Sequence, residues 1–499
     1  MKNLKFLLVL TCMIVSRFAL AQSVHVPADD LTRELYSLSA NSLVEDTKEY
    51  KKVTDVPCNV VWEGDSVVWF DNLFPNIVFP DGSKVWVKGI VDHSIRITIK
   101  PQDVYKYTMD HGMMQMEMTF RVGALEGSID APTGYKDFQM VNNPKNGIIE
   151  PVDRNLVLCF YAEGEGEMAG IYDAAYNYAL EAIGDANIVS LPEDAEAPEF
   201  LFHYKNEGSG AMETRIGHIY IDGNTAYIQG LCQLVHDAWL VGTVGDFGTI
   251  MLKEGQFIGV YDNQILYFTG VRNDNGQYKV SKIALSYQAE TGGYQLAPGY
   301  LAAETTISLN VQNMYSEFDI LPYNGEVATP RKPWNLQINY FDNGTPYVAF
   351  QYDTNGTNDE WLITDSIFYQ VYFDDKLFTF KTDPYIGLEK DMTRIPVTFE
   401  DVTGDFTFFM GIAPIFLVYL DDSEWTRVGI QLVHSVNGVE KTSEISYLEN
   451  PNSAIEDINQ DDSEGPCFDL SGRIISKTAN KQDLSRGLYI MNGKKIMIK

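Results

Sequence analysis

The side chains able to do chemistry are scattered along the chain. Seven histidines, His25, His93, His111, His203, His218, His236 and His434, show no HExxH spacing, and no G-x-S-x-G nucleophile elbow accompanies them. His93 and His236 each follow or precede an aspartate, Asp92 and Asp237. A solvated or core-satisfied histidine is the more ordinary reading of both pairs than a general base. Carboxylates are abundant, with 69 Asp and Glu, but a glycosidase needs two carboxyls about 5–10 Å apart across a cleft, which only a fold can supply. Asp353-Thr354-Asn355-Gly356-Thr357-Asn358-Asp359-Glu360 carries alternate oxygen ligands like part of a calcium loop. Asn-Gly turns of β-proteins have the same composition, so the expectation is no metal and no cofactor.

Five cysteines are present, and Cys58, Cys159, Cys232 and Cys467 follow the N-terminal segment. None forms a CxxC pair or neighbours a suitably spaced histidine, so zinc and thioredoxin-type readings fail. Cys58 and Cys232 sit in apolar runs, where a cysteine usually behaves as a small buried hydrophobe. The formal net charge is -32. A nucleic-acid ligand is disfavoured, since phosphate binding needs a basic stripe, and so is an anionic membrane surface. The acidity reads as the solvated surface of a secreted protein.

The first residues explain the compartment. Lys2 and Lys5 precede an apolar run over 6–15, and Ala19-Leu20-Ala21 supplies a small-x-small cleavage pattern. A signal peptide over 1–21, with a mature chain starting at Gln22, is expected. Arg17 interrupts the run short of the ~20 residues of a membrane span, and Thr11 is large for the residue before a lipidated Cys12. No transmembrane helix is expected in the mature chain.

The elements that must position any site are strands. With 499 residues, 45% hydrophobic and 21% charged, the chain has core material for about three domains of ~150 residues. β-branched and aromatic residues come in short runs punctuated by Gly, Asn and Asp, with almost no helical stripe. In 94–100, Ile95, Ile97 and Ile99 share one face; in 368–380, Asp374-Asp375-Lys376 reads as a hairpin turn. Only 169–182 is ambiguous between an amphipathic helix and a strand. The expected class is all-β, with several β-sandwich-like domains in tandem and a small C-terminal β-domain. The run over 406–420 is interrupted by Gly411 and Pro414 and is expected to form two buried strands.

An internal repeat organises the first part. Trp62-Glu63-Gly64-Asp65, Val68-Trp69-Phe70, Asn72-Leu73, Trp86-Val87-Lys88-Gly89, Thr98 and Gln102 are answered in the same order. The second copy reads Tyr220-Ile221-Asp222-Gly223-Asn224, Ala226-Tyr227-Ile228, Gly230-Leu231, Trp239-Leu240-Val241-Gly242, Thr249 and Gln256. Gly64 and Gly223 are read as tight-turn residues with positive φ. Trp69, Tyr227, Trp86 and Trp239 are rings on a sheet face, with core packing favoured over a sugar platform, and Gly89 and Gly242 mark a bend or bulge. The organisation expected is 22–200 for copy 1, 201–328 for copy 2, 329–449 for a third domain opened by Pro330 and Pro333, 450–464 for an acidic linker, and 465–499 for the tail.

With its Trp-x-x-Gly and turn elements, the repeat resembles modules common in secreted proteins of the Bacteroidetes. The third region, with Phe368-Tyr369-Gln370-Val371-Tyr372 and Gly429-Ile430-Gln431, looks like a fibronectin-III-like sandwich. The tail, with Asp469-Leu470-Ser471-Gly472, Gly487-Leu488-Tyr489 and Asn492-Gly493, resembles the C-terminal sorting domain of the type IX secretion system. That resemblance implies export across the outer membrane to the cell surface or medium, with the secretion machinery as partner. Asn492-Gly493 is in its own right a strong hairpin turn. The functional expectation is an exported, non-catalytic binding or adhesion module for glycan or protein ligands. The alternatives are a polysaccharide-active enzyme with carboxylates that no motif marks, and a structural envelope protein.

Overall fold

A computed structural model describes residues 20–44, 47–77, 84–92, 95–110, 115–162, 170–184, 187–275, 277–340, 346–382, 388, 390–397, 425–450, 465–479, 484–491 and 494–498. The described residues are nearly all in strands and turns, with no α-helix among them, as an all-β multidomain chain requires. Residues 1–19, 406–420, 456–464, His93, His111 and Asn492-Gly493 lie outside the described residues. By backbone proximity the chain divides into two compact units. One holds Met1–Glu196, Tyr220–Leu285 and Gly299–Met314; the other holds Ala197–Ile219, Ser286–Pro298 and Tyr315–Lys499.

In the first unit, eight antiparallel strands follow one another around a closed ring. They are Arg33–Val44, Glu49–Glu63, Val67–Phe70, Val87–Asp92, Arg96–Ile99, Phe138–Asn142, Ile149–Pro151 and Gly170–Ala182, and the last pairs back onto the first through Leu180 and Leu38. Closure leaves no free edge within the ring. The alternation of Arg33–Val44 shows why the sequence folds so: Tyr36, Leu38 and Ala40 are buried while Ser37, Ser39 and Asn41 face outward. Each ring strand sends a fully buried side chain to one core, namely Leu38, Val60, Phe70, Val87, Ile97, Phe138, Ile149 and Leu180. The strands Leu158–Ala162, Gln115–Ser128 and Gln102–Asp110 extend the sheet from Gly170–Ala182. Phe160 and Phe120 stack on them with ring centres 4.9 Å apart. The ambiguous segment is therefore a strand, bent at Asn177, whose φ is +55°.

In the second unit, Trp334–Tyr340 pairs Pro346–Gln351, and Ile367–Phe373 pairs Arg427–Val436 at the centre of a six-stranded sheet. Phe350 and Val348 of one sheet pack with Tyr369, Val371, Ile430 and Leu432 of the other in a shared core, the packing of a sandwich. The expected hairpin turn is present, with φ of +46° and +66° at Asp374 and Asp375. Residues of the tail form four strands, in which Gly487–Met491 pairs Lys494–Ile498. No helix among the described residues is long and apolar enough to cross a membrane.

Candidate functional site

The repeat residues occupy matching positions in hydrogen-bonded register. Gly64 and Gly223 open turns with φ of +59° and +58°. Trp69 lies opposite Lys88 and Val68 opposite Gly89; Tyr227 lies opposite Val241 and Ala226 opposite Gly242. Neither glycine sits in a bulge, because both pairings run without a register shift. Their requirement is space: a Cβ on Gly89 would lie 2.6 Å from Ile97 Cγ2, and one on Gly242 would lie 2.7 Å from Ile250 Cγ2. Ile97 and Ile250 are themselves counterparts, opposite Val91 and Val244. By the same register Thr98 corresponds to Met251, so Thr249, two residues earlier, is not its equivalent. The 3-10 turn Asp246–Gly248 occupies the connection before it.

A glutamine completes each copy. The Lys88 N–H donates to Gln102 Oε1 at 3.1 Å, and the Val241 N–H donates to Gln256 Oε1 at 2.7 Å. Gln102 Nε2 donates to the carbonyl of Lys100, and Gln256 Nε2 to that of Lys253, the corresponding lysine. The equivalence runs on past the sequence match. Gln102 lies opposite Val122 and Gln256 opposite Phe268, each followed by a register shift at the same step. Asn177 and Glu317, each three residues before a ring-strand contact at Leu180 and Ile320, share positive φ.

The rings differ in cover. Trp69 and Trp86 are buried with Val61, under Leu31; Arg33 lies over Trp86 and Lys88 over Trp69, and Trp69 Nε1 donates to Glu63 at 3.0 Å. Tyr227 and Trp239 are half-buried, so of the two tryptophans expected to be mostly inaccessible, Trp86 is the more deeply covered.

A second departure is a residue inserted in copy 1. Thr54 and Asp55 together oppose Ser39 in a β-bulge, where in copy 2 Thr214 alone opposes His203. Asp55 takes φ of +60° and is 2% exposed, and its Oδ2 accepts no hydrogen bond in the structure. Bulges of this kind re-aim a side chain. Burial pushes the Asp55 carboxyl up, against hydrogen bonds from Thr54 and the backbone of Ile307 and Ser308. It lines a cavity of about 370 Å³ within the first unit, together with the hydroxyls of Ser37, Ser39 and Thr54, Glu181 at its exposed side, and the rings of Phe257 and Tyr267. Burial, then the Asp55 and Glu181 carboxylates, push the Tyr267 phenol up to about 12. Among the described residues no lysine or arginine lines it. Sequence reasoning missed this site because an inserted bulge residue breaks no motif; the only signal was the run Thr54-Asp55-Val56-Pro57 inside a strand pattern.

The remaining candidates are structural. Arg331 pairs both Asp353 and Asp359, and Glu360 accepts from the Asn358 side chain and backbone, so the acidic groups of the calcium-like loop are already engaged. Among the described residues no group of three or more His, Cys, Asp or Glu is arranged to hold a metal. His434 Nε2 accepts from the Ile363 N–H at 3.1 Å and its Nδ1 lies 2.8 Å from the Ala328 carbonyl, which makes it a buried strut. In the tail, Asp469 Oδ1 accepts from the Ser471 N–H and hydroxyl and from the Arg473 N–H, closing the Asp-Leu-Ser-Gly turn whose Gly472 has φ of +82°. Leu470 is exposed; Gly487, Leu488 and Tyr489 lie on the central tail strand, the Tyr489 hydroxyl donating to Ser485 O. The four described cysteines are buried thiols.

No family model, curated protein or solved structure matches this chain.

Proposed function

We propose that the chain is an exported, non-catalytic binding protein of the cell surface or medium, presenting a site for a glycan or protein ligand. The observation that carries the binding reading is the cavity at Asp55, a concave site with a few convergent polar groups on a rigid, duplicated scaffold. Export rests on the charged-apolar-small pattern of residues 1–21 and on the likeness of the tail to a type IX sorting domain, which would bring the secretion machinery as a partner.

A second reading has its own support. Asp55 and Glu181 line one cavity, one buried and one exposed, and two carboxylates facing one cleft are what a glycosidase uses. Incubating the purified chain with a glycan panel and with chromogenic glycosides decides between them. Saturable binding without turnover is expected; turnover abolished by Asp55→Asn overturns the non-catalytic reading. Deleting 465–499 and fractionating cells tests export: the truncated chain is expected to stay in the periplasm, and equal arrival of both chains outside overturns the sorting role.

A further inference from the structure

We infer that the Asp55 cavity is a subsite for a single neutral sugar ring, with the free Asp55 oxygen accepting a hydrogen bond from a ligand hydroxyl. This rests on the binding reading above and names its ligand. The first ground is the insertion itself. Copy 1 and copy 2 agree strand for strand around this point, and copy 1 alone carries the extra residue. A non-glycine residue at φ of +60° in a strand is a strained choice, and here it puts a carboxylate where its counterpart strand has none.

The second ground is the unmet oxygen. A buried acceptor without a donor costs free energy that a ligand hydroxyl or an ordered water would recover, and this one is a buried oxygen of Asp55, a residue 2% exposed that lines the cavity. The third is the lining. Ser37, Ser39 and Thr54 can each donate and accept, as the hydroxyls of a sugar do, and Phe257 and Tyr267 offer ring surface for its C–H face. The absence of Lys and Arg from the described lining argues against a phosphate, sulfate or uronate. The volume of about 370 Å³ is near the lower end of ligand pockets, ~300–1,000 Å³, which suits one ring and not an extended chain.

The competing ligand is an ammonium group drawn by Asp55 and Glu181, and variants separate the two. Asp55→Asn keeps a residue that tolerates positive φ and can still accept from Ile307 and Ser308, but removes the charged acceptor. Glu181→Gln removes the rim charge. The full mature chain is titrated by calorimetry with neutral mono- and disaccharides and, separately, with ethanolamine. Saturable 1:1 binding of a neutral sugar is expected, weakened about tenfold or more by Asp55→Asn and less than threefold by Glu181→Gln. Should Asp55→Asn fail to fold, Ala182→Trp, which alters only an exposed rim position, is expected to abolish binding. Sugar binding that survives both Asp55→Asn and Ala182→Trp overturns this subsite while leaving the glycan reading standing. Binding of ethanolamine alone, lost in Glu181→Gln, overturns the sugar assignment. No binding of any sugar overturns it and removes the glycan arm of the proposed function as well.

Discussion

Copy 1 and copy 2 place a tryptophan at the same point, beside the same close-approach glycine, and then treat it differently. Trp86 lies under Leu31 and Arg33, whereas Trp239 is half-buried. Copy 1 also carries a bulged, buried carboxylate where copy 2 runs straight. The pairing pattern, set by glycines that must lack a Cβ and by a glutamine that bonds the backbone, is common to both. What varies is the cover over the sheet and the polar groups let into it. A duplicated scaffold therefore separates two kinds of residue: those that hold register, present twice, and those that can carry function, present once.

The largest effect expected from this contrast is at the tryptophans. Trp86→Ala should cost about 3–5 kcal/mol, the range for emptying a buried aromatic site, and Trp239→Ala roughly 1–2 kcal/mol, since a half-buried ring forfeits less area. Urea unfolding of both variants measures the difference. Equal losses would mean that Trp239 is covered in solution and that the two faces are not distinct.

Asp173 sharpens the comparison at a buried position. Its Oδ1 accepts from the Ala174 N–H at 2.8 Å, and Asn313, its counterpart by register, accepts from the Met314 N–H at 2.9 Å. Copy 1 therefore buries a carboxyl, 1% exposed, where copy 2 has an amide. Burial pushes Asp173 from an ordinary 3.8 up to about 6, despite hydrogen bonds from Ala174, Asn76 and Ser42. The folded state thus holds the proton more tightly than the unfolded state. The stability this contributes is fully present below pH ~4, falls as the pH rises to about 6, and stays lost above. Asp173→Asn should raise stability at pH 8 by about 3 kcal/mol, from two pK units at 1.36 kcal/mol each, and change little at pH 4. Melting curves at the two pH values check it, and equal shifts at both would show that ionisation is not the cause.

Smaller and symmetrical effects are expected at the glycines. Gly89→Ala and Gly242→Ala each push a methyl against a buried isoleucine, at 2.6 and 2.7 Å, and should cost about 1–3 kcal/mol as overpacking does. If only one of them destabilises, the two strand pairs do not carry the same constraint.

Much of this frame was legible in the residues. The turn glycines, the aromatic positions and the Trp-x-x-Gly spacing were readable because backbone constraints restrict residue type, and they restrict it twice. The role of Gly89 and Gly242 was not, because a glycine excluded by a facing isoleucine looks the same in sequence as a glycine in a bulge. Thr249 was aligned with Thr98 by identity alone; the connection from Val91 to Ile97 has the same length as that from Val244 to Ile250, which puts Thr249 at the place of Arg96 and Met251 at that of Thr98. The repeat beyond Gln102 stayed hidden since the counterparts share a place in the register and no residue type: Val122 answers to Phe268, and Phe160 to Glu304, whose buried carboxylate accepts from the Gln233 and Leu234 N–H groups. Asp55 was invisible for a different reason. A bulge is a count of residues between two partners, and the partners are known only once the strands are paired.

The glutamines give the smallest effect and the most direct test of the duplication. Gln102 reaches from the start of its strand to the N–H of Lys88, and Gln256 to the N–H of Val241, the residues just before the two close-approach glycines. A glutamine is suited to this because one side-chain amide accepts and donates at once, here accepting from one strand and donating to Lys100 O or Lys253 O. Leucine has a similar volume and can do neither. Gln102→Leu and Gln256→Leu should therefore each strand a backbone N–H and cost about 1–2 kcal/mol, with faster hydrogen exchange at Lys88 and Val241 in the respective variant. Exchange is the decisive readout, because a packing defect would lower overall stability without singling out that one amide. Acceleration at Lys88 but not at Val241 would show that only copy 1 depends on its glutamine, and the common frame would then end short of the strands that carry the Asp55 cavity.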